Sequence, residues 1–343
     1  MRQEQERATR RYLPTVTRIE SGCILDLTIM TSLAFICKLV LLLVSLVHSQ
    51  GSSKVEESST RSETIEQAMP SSSSVLVVGA TGATGRHVVH QLLQQGRPVK
   101  VIVRSEERMM SLLQEIDESY DDSTKKVSEK DYQTLLTVKE ASLLDLTEQE
   151  LSEQVQDSMA VVQCLGHTMN FQGLFGHPRR LVTDAAIHLT KALMAASLAD
   201  NEPKKFILMG SDGVSNPIPG KDNDRSLSER IVLFLLRYLL PPHADNEGAA
   251  SYLVEELGDT TAQQLEWTII RPTNLINGPV TDYQLFDKPT GGLFGDSVVR
   301  RSNVAKAMVD MLVKDDLWAK YRFELPVVYD PEEVAESGKE SEL

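Results

Sequence analysis

Cysteine is scarce in this chain: Cys23, Cys37 and Cys164 are the only three in 343 residues. Cys164 alone lies beyond the N-terminal hydrophobic region, which excludes an internal disulfide in the folded part. No Cys/His spacing matches a zinc site, so no metal is expected. A basic surplus is lacking as well. The formal net charge is −14, and residues 1–70 hold eight Lys/Arg against eight Asp/Glu. Residues 71–343, with 27 basic against 41 acidic, therefore carry all of it. Repulsion from phosphates makes so acidic a region a poor nucleic-acid binder. What remains is ordinary for a globular protein, 41% hydrophobic and 24% charged, with length for one large or two small domains.

Residues 1–22 are a basic, polar segment with Arg2, Arg7, Arg10, Arg11 and Arg18. Residues 23–48 read as a hydrophobic signal sequence or membrane anchor. Leu27 to Val47 is apolar apart from Lys38, and ~20 such residues span a bilayer. Lys38 would cost about 2.5–3.5 kcal/mol at the helix centre. Leu39 to Val47 has the length of a signal h-region, with Val47-His48-Ser49 as a poor cleavage site. A start at Met30 gives a shorter signal sequence, and a buried soluble helix is the alternative. Residues 49–73 are a Ser/Glu-rich linker, too acidic for an organellar transit peptide. The address expected is membrane-associated or a secretory-derived compartment through residues 27–47, and cytoplasmic if that run is not used.

The stretch 75–104 organises the rest. Val75-Leu76-Val77-Val78 is a buried-strand pattern, followed by Gly79-Ala80-Thr81-Gly82-Ala83-Thr84-Gly85. A helix-like run, Arg86 to Gln95, leads through Gly96 to a second strand, Val99 to Val103, ending on Arg104. This is one βαβ unit with a glycine turn in the place that holds a pyrophosphate. Gly79 allows the tight exit, Gly82 the approach of backbone to phosphate, and Gly85 the packing of helix on strand. The helix N-terminus favours an anion. Arg104 at the end of the second strand suits the 2′-phosphate of NADP, where an acid would suit NAD, and Ser105 adds a hydroxyl. His87 and His90 share a helix face with no further ligand and read as surface or packing residues.

Further strands are expected at Ala141–Leu146, Ala160–Leu165, Lys205–Met209 and Trp267–Ile270, with a helix over Leu181–Ser197. Alternation of this kind predicts an α/β fold, a Rossmann-like doubly wound parallel sheet with helices on both faces, over residues 74–333. Insertions are expected near 106–136 and 217–243, and a polar tail over 334–343. The strand ends Gly79, Arg104, Asp145, Leu165-Gly166, Ser211 and Thr273-Asn274 should ring one crevice. Asp145 is placed to accept from the adenine amino group or to cap a helix. Ile231 to Leu240 is strongly apolar and reads as a lid, a core helix or a face resting on a membrane.

This ordered set resembles the atypical short-chain dehydrogenase/reductase superfamily, and more closely its NmrA-like branch, which includes the biliverdin-IXβ reductases also called flavin reductases. The residues that carry the likeness are Val78 to Gly85, Val101-Ile102-Val103-Arg104, Ala160-Val161-Val162 with Leu165-Gly166, and Met209-Gly210-Ser211. Trp267 to Pro272 and Val299 to Ala305 complete it. The resemblance implies NADP as cofactor, with NAD second. Thr81, Gly82, Ala83, Thr84 and Gly85 would take the phosphates, Leu165-Gly166 the nicotinamide ribose, and Ser211 would sit beside the nicotinamide. The superfamily's Tyr-x-x-x-Lys pair is missing: none of the eight tyrosines has Lys four residues on, and Tyr252 is followed at that spacing by Glu256. Glu247 stands near where some members place a lysine. Carbonyl or epimerase chemistry by that route is disfavoured. Hydride transfer to a flavin, quinone or tetrapyrrole is less demanding, with Ser211 and His167 as candidates to orient the acceptor or deliver a proton. The alternative is a non-catalytic NADP-binding regulator or scaffold with a protein partner.

Overall fold

A computed structural model of the chain describes residues 74–119, 126–168, 170–221, 225–290 and 297–331. The basic segment, the hydrophobic run, the linker and the polar tail expected over 1–22, 23–48, 49–73 and 334–343 lie outside the described residues.

Strand β1 (Ser74–Val78) is buried along its length. Val75 and Val77 face one core while Leu76 and Val78 face the other. A strand apolar on both sides belongs in the middle of a sheet covered on both faces. The glycine turn leads into α1 (Gly85–Gln94) and then β2 (Val99–Val103), which pairs parallel with β1 through Val77 and Val101. Next come α2 (Glu106–Glu118), α3 (Glu129–Leu135) and β3 (Leu136–Glu140). Beyond these lie α4 (Glu148–Val155), β4 (Ser158–Gln163), the short α5 (Phe171–Phe175), α6 (Leu181–Asp200) and β5 (Lys204–Met209). Helices α7 (Leu227–Leu239) and α8 (Pro241–Ser251) run into a π-helical turn, Tyr252–Leu257, before β6 (Leu265–Pro272).

The C-terminal part holds β7 (Asn274–Ile276), β8 (Gln284–Phe286), β9 (Val298–Arg300), α9 (Arg301–Val313), α10 (Asp315–Tyr321) and β10 (Val327–Tyr329). The main sheet has the order β3-β2-β1-β4-β5-β6-β10-β8. It is parallel except for β8, which pairs antiparallel with β10, and β7 and β9 form a separate parallel pair. The expected doubly wound architecture is therefore present, with an antiparallel edge added. The order reverses between β1 and β4, which makes the carboxyl ends of these two strands the topological switch point, the place where ligands bind in sheets of this kind. On one face α1 and α9 pack through Val88, Leu92, Val304 and Met308. On the other α6 packs through Leu189 and Leu193 against Phe206 and Trp267.

Several expectations are corrected. The third strand is Leu136–Glu140, paired with β2 through Val101 and Val138, and not Ala141–Leu146. Residues 143–145 form a 3₁₀ turn instead. Thr147 and Glu150 make a reciprocal capping box that turns the chain into α4, so Thr147 and not Asp145 is the cap. The segment 106–136 is not simply inserted: α2 buries Met109, Leu113 and Ile116 as the crossover from β2 to β3. The core-helix reading of 231–240 fails, because α7 buries only Val232 and Leu233 and exposes most of its apolar side chains. His90 is a packing residue, fully buried with Nε2 2.8 Å from Asp117 Oδ1.

Candidate functional site

The loop between β1 and α1 is built by backbone constraints. Gly79 has φ +75°, and a Cβ there would lie 2.5 Å from the Cys164 carbonyl carbon at the end of β4. A Cβ on Gly85 would lie 2.3 Å from the Gly79 oxygen. Only glycine satisfies both positions. The Gly82 amide donates to Gly79 O at 2.9 Å, so this group is used to close the turn. The amides of Ala83, Thr84 and Gly85 donate to no protein group among the described residues. Thr84, the N-cap of α1, makes no side-chain cap, and the first turn carries no acid. By contrast, Ser105, Ser128, Thr147, Asn170 and Ser226 each cap the helix they precede. The start of α1 is thus a row of unpaired donors at a positive dipole end. Its backbone geometry fits a pyrophosphate.

Each residue that the sequence assigns to a rim has its own position. Arg104, the first residue after β2, is exposed. Ser105 caps α2, accepting from the Arg108 amide at 3.2 Å. Beside them Glu140 ends β3 and accepts from the Glu106 amide at 2.9 Å, a carboxylate that sequence reading missed. Asp145 is exposed on its 3₁₀ turn. Leu165 is half-buried and Gly166 exposed, with open space where a Cβ would stand. Thr273 Oγ1 and Asn274 Nδ2 both donate to Ser297 O.

Ser211 follows the end of β5, and its Oγ accepts from the Gly213 amide at 3.2 Å. Its neighbour Asp212 was not foreseen. Burial pushes the Asp212 carboxyl above its ordinary range, against the pull of Arg225, the Gly213 amide, Arg271 and Thr273. Arg225 also donates to the Asp212 carbonyl. The fully buried Arg271 braces this corner, donating to Leu325 O at 2.8 Å and Val214 O at 3.3 Å.

His167, just past β4, is paired with a second unforeseen acid. Its Nε2 lies 2.7 Å from Asp245 Oδ2. Asp245, on α8, also accepts from the Val182 and Thr183 amides and the Thr183 hydroxyl, so it serves the N-terminus of α6. A carboxylate that already takes these donors at a helix N-terminus is held rigidly and fixes the orientation of the His167 ring. Asp245 and His167 are 78 positions apart, and no local pattern links them.

Other reactive groups are held out of use. Tyr252 is buried with its hydroxyl 2.9 Å from Thr190 Oγ1. Its pKa is raised, mainly by burial and further by Glu256. Glu247 is bound by Arg237, Nε to Oε2 at 2.5 Å. Burial pushes the Cys164 thiol up to about 12, which removes it as a nucleophile.

Comparison with known proteins gives the family and the fold. A family model described as NAD(P)H-binding matches residues 79–315. An uncharacterized chloroplastic protein of Arabidopsis thaliana is 28% identical over 245 residues, 71% of this chain and 72% of its own. A solved structure from Lactobacillus casei is similar with a TM-score of 0.52 at 20% identity, covering 76% of this chain and 100% of its own. An anaerobilin reductase of Escherichia coli O157:H7 gives 0.48 at 18% identity, covering 76% and 98%.

Proposed function

Because the chain belongs to the NAD(P)H-binding family, we propose that it is an NADPH-dependent reductase passing hydride to a planar conjugated acceptor, a flavin, quinone or tetrapyrrole. The observation that carries the cofactor half is the glycine turn, whose open amides meet an uncapped helix start. In this reading Thr81 to Gly85 hold the pyrophosphate, and Arg104 and Ser105 hold the 2′-phosphate. Asp145 meets the adenine, Leu165 and Gly166 line the nicotinamide ribose, and Asn274 closes the rim. The bound nicotinamide would supply a hydride. The residues of the chain orient the acceptor and move one proton. Ser211, two residues past β5, would orient the acceptor or a water. Asp212, next to Ser211 in the chain and kept above the ordinary carboxylate range, and His167, held by Asp245 past the neighbouring strand β4, are the groups we assign to carry the proton. A conjugated acceptor suits such a site, because its ring delocalises the arriving charge and asks little beyond alignment.

Tyr252 supports a second reading, a nucleotide-binding regulator without turnover. Its hydroxyl is engaged by Thr190 and its pKa is moved away from use as a base. The same observation argues against an epimerase or dehydratase. The address we propose is a membrane or secretory-derived compartment reached through residues 27–47; solubility of the full chain in alkaline carbonate would refute a spanning anchor.

Purified protein should consume NADPH in the presence of a flavin, a quinone or a linear tetrapyrrole, saturably and dependent on Arg104. Ser211→Ala should lower turnover and leave NADPH affinity nearly intact. Tight NADPH binding with no consumption would replace the reductase with the regulator.

A further inference from the structure

We propose that the exposed face of α7 docks this protein on a lipid surface carrying anionic headgroups. Leu227, Ile231, Phe234 and Tyr238 are 73%, 52%, 56% and 71% exposed. Their spacing of four, three and four residues puts them in one stripe along the helix. Leu235 and Leu239 widen it. Val232 and Leu233 point the other way and hold the helix to the body. Phe234 and Tyr238 pack with ring centroids 4.9 Å apart, aromatic groups suited to the boundary between headgroups and acyl chains. An apolar stripe this continuous is the mark of a surface that meets something.

Charge identifies the partner. Arg230 and Arg237 stand on the exposed side of the same helix, and Arg225 lies at its foot. The Arg230 guanidinium has no ion pair among the described residues. Together with Phe234 these arginines line a hollow of about 370 Å³ against the Asn216-Pro217 loop. Among the described residues lining it the acid is Glu247, which is bound by Arg237 and lies 3.5 Å from His243. A chain of net charge −14 is repelled by an anionic surface except where such a corner leads. Stable attachment generally takes two membrane signals. The apolar run 27–47 supplies another, and α7 would fix the orientation of the domain.

The test places a tryptophan in the stripe of the full chain as Phe234→Trp. The native Trp267 and Trp318 are buried, so added emission reports position 234. Reconstituted in phosphatidylcholine vesicles containing phosphatidylglycerol and brominated acyl chains, the probe should shift to the blue and be quenched. Tyr238→Trp should behave alike. Adding Arg230→Gln should weaken the response about fivefold, the worth of one cation near an anionic surface. An anchor at 27–47 alone would leave position 234 in water, so an unquenched probe overturns the proposal. Quenching independent of phosphatidylglycerol and of Arg230 also overturns it. So does a shift that grows with protein concentration in the absence of lipid, which would mean that a second copy covers the face.

Discussion

The balance between Arg104 and Glu140 makes a sharp prediction about cofactor choice. The two residues end adjacent strands, with Val103 and Glu140 in register, and Glu140 already takes the Glu106 amide at the start of α2. A 2′-phosphate seated there gains from Arg104 and loses to Glu140. A hydrogen bond to a charged group contributes about 1.5–3 kcal/mol. Arg104 is exposed, so the lower figure applies, roughly tenfold in affinity. Arg104→Glu removes the attraction and adds a repulsion of about 1 kcal/mol at the surface. NADPH should weaken by roughly fiftyfold while NADH moves little. Glu140→Gln keeps an acceptor oxygen for the Glu106 amide and removes the opposing charge. It should tighten NADPH by roughly fivefold, again leaving NADH alone. Dissociation constants for both cofactors, titrated by nicotinamide fluorescence at low and high salt, read the ratio directly. The Arg104 effect should shrink as salt rises. If the two cofactors lose affinity equally in Arg104→Glu, the 2′-phosphate does not sit at this corner and the NADP assignment fails.

Three other perturbations test the frame that carries the site. Gly85→Ala puts a methyl 2.3 Å from the Gly79 oxygen, so NADPH should no longer raise the Tm, and a wild-type shift would refute the tight turn. Burial, aided by Arg86, His90 and Arg301, pushes His87 down to about 4 from 6.5. Its folded value lies below its unfolded one, so its contribution is complete above pH 6.5 and is lost as pH falls toward 4, by about 3 kcal/mol in all. Denaturant titrations across that range should slope less for His87→Gln than for wild type, and parallel slopes would show that His87 is freely protonated. Arg300 and Asp330 form a buried pair at 2.9 Å. Arg300→Leu should cost about 3–5 kcal/mol by stranding the carboxylate. Restoring much of that loss with the added Asp330→Leu would confirm the cause, and a silent single variant would remove the pair from the stability argument.

The elements legible in the sequence are those written in neighbouring residues. Val75 to Val78 and Val99 to Val103 announce strands because β-branched residues on both faces fit only a buried sheet interior. The glycine turn announces itself because two of its positions tolerate no Cβ. The third strand is not legible at its true place because Ala141 to Leu146, with four apolar residues of six, is more apolar than Leu136 to Glu140, with two of five. The deciding signal, the Thr147–Glu150 capping box, was present and local, and gave the start of α4.

What could not be read joins residues far apart in the chain. Asp245 reaches His167 and Thr183 only because α8 crosses the start of α6. Asp212 acquires its raised pKa from burial that the fold creates. The same holds for α7. Its sequence is apolar enough for a core, and hydropathy alone cannot say which side chains find a neighbour. The fold spends Val232 and Leu233 on the body and leaves Leu227, Ile231, Phe234 and Tyr238 facing out beside Arg230. The apolar run therefore gains its meaning from the packing it lacks, and the arginines beside it turn an unpartnered stripe into one with a preferred counterpart.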